Sequence, residues 1–219
     1  MSIKNWISGL NVPGKPDEWE VKELFRFFNI NTPRGVLLEP EFAFKGTELQ
    51  QPLVVKVCDS KILHKSDIGG VKLNVRDDIS SIITEMRQAF PGSNLLIEEM
   101  VPYSGIEFII GALVDSDFGP ALMVGAGGIL TELYKDVTFR LAPISKNEAV
   151  RMLRELTVAE VLTGYRGSEM DIFSLADLIV SVGEMITEFG SSFNQLDINP
   201  IVFSDEKWVA LDGMAILNS

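Results

Sequence analysis

The chain has 219 residues, 46% of them hydrophobic, and a formal net charge of -12. That length and apolar content suffice for one large domain or two small lobes around a buried core, and the acidic balance argues against general binding to nucleic acid, whose phosphates demand a basic face. The lone Cys58 excludes an internal disulfide and a cysteine metal cluster. With no N-terminal signal pattern and no apolar span of membrane length, the expected compartment is the cytoplasm, without a membrane partner.

Gly9, Gly14 and Lys15 have P-loop-like spacing. Pro16 follows where a hydroxyl should hold magnesium, and no strand precedes the segment, so no P-loop is assigned. Trp6, Ile7 and Leu10 have helical spacing and are expected to form an arm packing on the core. From Asp17 to Phe28, the residues Val21, Leu24, Phe25 and Phe28 describe one face of a helix, and residues 34–38 form a short strand.

The run from Val54 to Cys58 suits a strand with little solvent on either face, yet Lys56 sits within it. Its neighbours on the same strand face, Val54 and Cys58, are not carboxylates, so an anionic ligand is the expected partner of the ammonium. His64, Lys65, Ser66, Asp67, Gly69 and Gly70 follow, then a return strand from Val71 to Val75. Paired glycines allow a sharp bend and a close approach to a ligand, with N–H groups free to form an anion-binding nest. Lys56, Lys61, Lys65 and Lys72 are opposed locally only by Asp59 and Asp67. The segment reads as a phosphate-handling hairpin.

Asp77 and Asp78 open a helix with Ile79, Ile82, Ile83, Met86 and Phe90 facing the core, ended by Pro91 and Gly92. LLIEEMVP returns as a strand in which Glu98 and Glu99 point to opposite faces, one of them open to solvent. EFIIGALVD and ALMVGAGGIL form a hairpin of buried strands. Gly125, Gly127 and Gly128 lack the spacing of a dinucleotide fingerprint, which leaves either a second approach to a ligand or tight packing in a bent strand. Arg140 lies in a further strand, Ser145 and Glu148 form a capping box, GYRG interrupts, and a long helix runs from about Asp171 to Phe189 with Gly190 as terminator.

LDINPIVF and WVALDG read as two strands joined by residues 204–207. If Phe203 pairs with Trp208, counting backwards sets Asn199 opposite Asp212, with Asp197 on the strand face of Asn199. Direct cross-strand neighbours have Cβ atoms roughly 4.5 to 5.5 Å apart. An amide oxygen and a carboxylate at that spacing either hydrogen-bond or hold one hard cation such as Mg²⁺, whose remaining positions go to water and phosphate.

Together VVKVCDSKILHKSDIGGVKLNV, LIEEMVPYSGIE, DFGPALMVGAGGILTELYKDVTFRLAP, GYRG, LDINPIV and VALDG resemble the ATP-grasp domain of the ADP-forming acyl-CoA synthetases, in order and across nearly the whole chain. HKSDIGGV is the most diagnostic of them, and the NP and ALDG elements are shared with succinyl-CoA synthetase, a relative. The resemblance implies an α+β ATP-grasp fold spanning residues 1–219, with a smaller lobe at about 21–97, a larger lobe at about 98–219, an N-terminal arm over 1–20, and ATP or ADP bound between the lobes. It implies that Lys56 contacts nucleotide phosphates, that Gly69, Gly70 and Val71 close over them, that Glu98, Val101 and Glu107 hold adenine and ribose, and that Asn199 and Asp212 hold Mg²⁺. Asp197 matches an acidic residue near phosphate transfer. His64, the only histidine, would by composition be an exposed loop residue; the resemblance makes it a phosphate carrier. The short C-terminus leaves no CoA-binding region, so a CoA- and acyl-binding α-subunit is the implied partner, in an α2β2 assembly. The implied reaction is acyl-CoA + ADP + phosphate in equilibrium with acid + ATP + CoA. A different ATP-grasp carboxylate ligase and a nucleotide-sensing module without turnover are the alternatives.

Overall fold

The computed structural model describes residues 2–46, 48–62, 64–128, 136–162 and 170–218. The chain opens with α1 (Ile3–Ser8) and α2 (Glu18–Phe27). Asp17 starts α2 by accepting from the Glu20 N–H at 2.9 Å, while the Glu20 carboxylate accepts from the Asp17 N–H at 2.8 Å. This reciprocal pair satisfies donors that every helix start leaves open. The arm packs as its spacing predicts: Ile3 and Trp6 are buried, and the Trp6 ring meets Phe189 edge-on at 5.7 Å.

Strands β1 (Gly35–Leu38), β2 (Leu53–Cys58), β3 (Val71–Val75) and β4 (Asn94–Glu99) form an antiparallel sheet in the order β1-β4-β2-β3. Alternation along the strands gives this sheet two unlike faces. Leu53, Val55, Val57, Leu95 and Ile97 meet Ile83 and Met86 of α3 (Ile79–Ala89) in one apolar cluster. The other face carries Val54 opposite Glu98 and Lys56 opposite Leu96.

The larger sheet contains β5 (Phe108–Asp115), β6 (Gly119–Ala126), β7 (Val137–Leu141), β8 (Phe193–Ser204), β9 (Lys207–Ala210) and β10 (Gly213–Leu217). Its order is β10-β8-β5-β6-β7, with β9 also paired to β8. Helices α4 (Lys146–Arg154), α5 (Ala159–Leu162) and α6 (Ile172–Phe189) contribute to its core, α6 through Leu175, Ile179, Val182, Ile186 and Phe189. Asp171 caps α6 by accepting from the Phe173 and Ser174 N–H groups, and Gly190 follows it with φ of 56°, a left-handed value suited to glycine.

Two details differ from expectation, and a third falls on one of two expected alternatives. Val21, Leu24 and Phe25 lie in the core of the larger sheet rather than with residues 35–97, because the apolar face of α2 meets β10. Ser145 accepts from the Glu148 N–H at 3.3 Å, but the Glu148 carboxylate takes the Arg140 guanidinium at 2.7 Å, so an ion pair replaces half of the capping box. The glycines at the end of β6 pack tightly: a Cβ on Gly125 would sit 2.6 Å from Val137, and one on Gly127 would sit 3.0 Å from Glu107. Ile129, Leu130, the TELYK run and GYRG lie outside the described residues. Among those described, no helix is long and apolar enough to cross a membrane.

Candidate functional site

Lys56 projects from the middle of β2 on the face turned away from α3, and its environment corrects the sequence reading. Its two nearest carboxylates are Glu18 of α2 at 2.6 Å and Glu98 of β4 at 3.0 Å. Neither lies on its own strand face. Glu98 reaches it diagonally from the neighbouring strand, and Glu18 arrives on a helix laid across the sheet, so a search along the strand misses both. Lys22, one helical turn beyond Glu18, is completely buried and contacts Glu18 at 2.7 Å and Glu98 at 2.5 Å. Lys56 and Lys22 each also donate to the Leu211 carbonyl at 2.7 Å.

Lys65, from the turn after β2, completes the group. Its ammonium contacts Glu18 and lies 2.9 Å from both carboxylate oxygens of Asp212. Three ammonium groups thus face three carboxylates, a balanced cluster where the two sheets, α2 and the turn 59–70 converge. Burial favours neutral forms and, with the Lys56 charge, pulls the Lys22 ammonium below its usual value, yet Glu18, Lys56 and Lys65 are held in their charged forms. Burial works against ionised Glu18, but Lys56, Lys22 and Lys65 together hold its carboxyl well below the usual range. Burial likewise works against charged Lys56, while Glu18, Glu98 and Asp212 hold its ammonium well above its usual value. Lys65 is raised for the same reasons, with Glu18 and Asp212 as its anions.

A close approach brings α2 to this position. Gly213, first residue of β10, lies against Phe25, and a Cβ there would be 2.5 Å from the ring. The missing side chain lets α2 lie on β10, which carries Glu18 and Lys22 to Lys56 and Asp212.

The C-terminal hairpin has the register counted from the sequence. Phe203 pairs with Trp208, and the Asn199 N–H donates to the Asp212 carbonyl at 3.2 Å. Beyond this point β8 continues against β10, with Asp197 opposite Met214 on one side and Gly111 of β5 on the other. Burial and then the Asp212 charge raise the Asp197 carboxyl above its usual range. Two carboxylates that disfavour each other, beside an exposed amide, offer hard oxygen donors that fit Mg²⁺. Among the described residues no cluster of three His, Cys, Asp or Glu groups could hold a metal. Asp197 also borders a cleft of about 510 Å³ floored by Gly111, Ala121, Met123 and Phe139.

The glycine turn departs from its expected form. The Gly70 N–H donates to the Lys65 carbonyl at 2.7 Å and the Gly69 N–H to the Ser66 carbonyl at 3.2 Å. These donors close the turn on itself and do not form an open anion nest. Gly69 has φ of +73° with open space around it, while a Cβ on Gly70 would lie 2.7 Å from Val57. Val71 pairs with Lys56 across β2 and β3. His64 is exposed, next to Lys65.

Glu98 is buried with its carboxylate on Lys22 and Lys56, whereas Glu99 faces the other way, 3.1 Å from Arg34. Val101 follows the end of β4, half-buried. Glu107 accepts from the Tyr103 hydroxyl at 2.5 Å, a bond that pushes the phenol up to about 12.

Glu18 and Lys22 were not singled out from the sequence. Their signal is the placing of an i,i+4 ion pair on the helix stripe that also holds Val21 and Phe25. Charges on a core-facing stripe call for partners on another element.

A family model described as an ATP-grasp domain matches residues 14–217. The chain is 38% identical over 213 residues to the beta subunit of ADP-forming acetate-CoA ligase I of Pyrococcus furiosus, covering 91% of this chain and 90% of that one. It is 33% identical over 201 residues to the ADP-forming 4-hydroxybutyrate-CoA ligase of Nitrosopumilus maritimus, covering 86% of this chain and 28% of that longer protein. Among solved structures, the acetyl-coenzyme A synthetase 1 of Candidatus Korarchaeum cryptofilum in complex with coenzyme A, Ca-AMPCP and HgCl+ matches with a TM-score of 0.82 at 31% identity, covering 95% of each chain. Another structure of that protein, with coenzyme A and Mg-AMPPCP, has its phosphohistidine segment pointing towards the nucleotide binding site; it matches at a TM-score of 0.77 and 32% identity over 94% of each chain.

Proposed function

We infer that this chain, which belongs to the ATP-grasp family, is the nucleotide-binding subunit of an ADP-forming acyl-CoA synthetase and passes phosphate between a partner's acyl site and ADP through His64. The observation that carries this reading is the convergence of Lys56, Asp212 and the His64-bearing turn on one ion cluster between the two sheets. Phosphoryl transfer needs positive charge at the phosphates and a positioned acceptor, and little else from the protein.

In this reading Lys56 and the turn at Gly69, Gly70 and Val71 face the nucleotide phosphates. Glu98, Val101 and Glu107 border the base and ribose, and Asn199 with Asp212 would hold Mg²⁺. When bound, the ion would neutralise phosphate charge. Asp197, whose burial makes its ionised form unfavourable, lies beside them at the point of transfer.

The imidazole of His64 attacks the phosphorus of an acyl phosphate formed on the partner; an N–P bond forms as the acyl O–P bond breaks, releasing the acid. A terminal oxygen of ADP then attacks the same phosphorus, the N–P bond breaks, and ATP and free imidazole result. The covalent relay divides one long transfer into two short ones. The partner is a CoA- and acyl-binding α-subunit, and the assembly is α2β2. Replacing His64 with Ala is expected to leave ADP affinity within about twofold of the parent, since a surface imidazole outside the nucleotide contacts contributes little, while ATP synthesis by the reconstituted enzyme falls to background. Retained synthesis would remove the relay.

A further inference from the structure

Lys65 differs from the other two lysines of the ion cluster in where it sits. Glu18 and Lys22 belong to α2, Lys56 to β2 and Glu98 to β4, all regular elements. Lys65 lies on the turn after β2, directly beside His64. The turn is closed by its own hydrogen bonds, Gly70 N–H to Lys65 and Gly69 N–H to Ser66, so residues 65–70 form a compact unit. It joins the strands where Val57 N–H donates to the Gly70 carbonyl at 2.8 Å. His64, Ser66, Asp67, Ile68 and Gly69 are exposed, and Lys65 is the side chain of this unit that enters the cluster.

The carboxylate that holds Lys65 is also the one placed to hold magnesium. Both oxygens of Asp212 lie 2.9 Å from the ammonium. A magnesium ion takes such an oxygen at roughly 2.0 to 2.1 Å, and a dication beside the Lys65 ammonium would repel it strongly in a partly dry site. The two cations therefore compete for Asp212. Glu18, the remaining partner of Lys65, is already shared with Lys22 and Lys56.

We propose that Lys65 is a positioning residue that docks the His64 turn onto the body of the protein through Asp212 and Glu18, and that arrival of the magnesium nucleotide at Asp212 releases the turn. The proposal rests on the nucleotide reading above and adds to it the event that frees the histidine. A ligand shifts such an equilibrium only through its unequal affinity for the two states; here the docked state offers the metal an occupied carboxylate and the released state a free one.

Amide hydrogen exchange on the full chain tests this, with and without Mg²⁺ and AMPPCP, alongside calorimetric binding of the same ligand. In the parent protein, exchange of residues 64–70 is expected to rise roughly tenfold when Mg²⁺-AMPPCP binds, the scale of one lost charge-assisted bond, with β2 and β5 unchanged. In Lys65→Met the same segment should already exchange roughly tenfold faster without ligand, and the ligand should add nothing. Lys65→Arg, which keeps the cation, should restore the parent response. Calorimetric binding without release in the parent, or parent-like exchange in Lys65→Met, overturns the latch and leaves nucleotide binding standing. Absence of binding overturns both. Should Lys65→Met loosen the whole fold, the parent response decides alone: a rise confined to residues 64–70 supports the latch and no rise ends it.

Discussion

Removing the Glu18 charge leaves Lys22, Lys56 and Lys65 facing Glu98 and Asp212, three cations against two anions with little water to screen them. Truncating one partner of a buried ion pair typically costs 3 to 5 kcal/mol, because the remaining charge is left uncompensated. Glu18→Gln is therefore expected to lower unfolding stability by about 3 kcal/mol or more, read by urea denaturation. The same residue shapes the acid limb of stability. Its carboxyl is held below its value in the unfolded chain, so its contribution is complete above about pH 4.3 and fades as pH falls towards the folded value. Asp17 and Glu20, raised chiefly by burial, act in the opposite sense and offset part of this loss. Lys56 and Lys65 are raised, so their contribution is complete below about pH 10.4 and fades above it. Thermal midpoints should show a plateau between these limits, and the acid decline should be shallower in Glu18→Gln.

At the level of elements, the site depends on one helix resting on one strand edge. α2 reaches Lys56 and Asp212 because Gly213 offers no side chain to Phe25. Gly213→Ala pushes a methyl group into the ring, and overpacking of this kind typically costs 1 to 3 kcal/mol. Denaturant titration should show a loss of about that size, and Asp212, the next residue, should shift relative to Lys65, so Mg²⁺-nucleotide affinity should change with it. An unchanged midpoint would mean that the helix moves freely on β10.

Across the whole molecule, what was legible followed local pattern. The hairpin register that sets Asn199 opposite Asp212 came from counting across a short connection, and the extents of α2 and α6 came from the helical spacing of their apolar residues. The two-lobed ATP-grasp fold and the kinship with ADP-forming ligases came from the HKSDIGGV, NP and ALDG stretches, and the family match bears this out. The partners of Lys56 were illegible because each comes from another element, Glu18 at a distance of 38 positions in sequence. The state of the glycine turn was illegible for a related reason. Gly69 and Gly70 announce a bend, but whether their N–H groups meet a ligand or the chain itself is decided by the turn's closure around Lys65. The resemblance likewise implied a smaller lobe beginning at about residue 21, whereas the packing of α2 on β10 assigns the core-facing side chains of that helix to the larger one.

The most direct measurement is mass spectrometry of the intact chain after incubation with Mg²⁺ and ATP, with and without a CoA-binding partner subunit, under conditions that preserve acid-labile phosphate. The account predicts one phosphoryl group on His64, lost on addition of ADP and absent from His64→Ala. A chain that supports acyl-CoA synthesis with its partner yet never carries phosphate on His64 would contradict it.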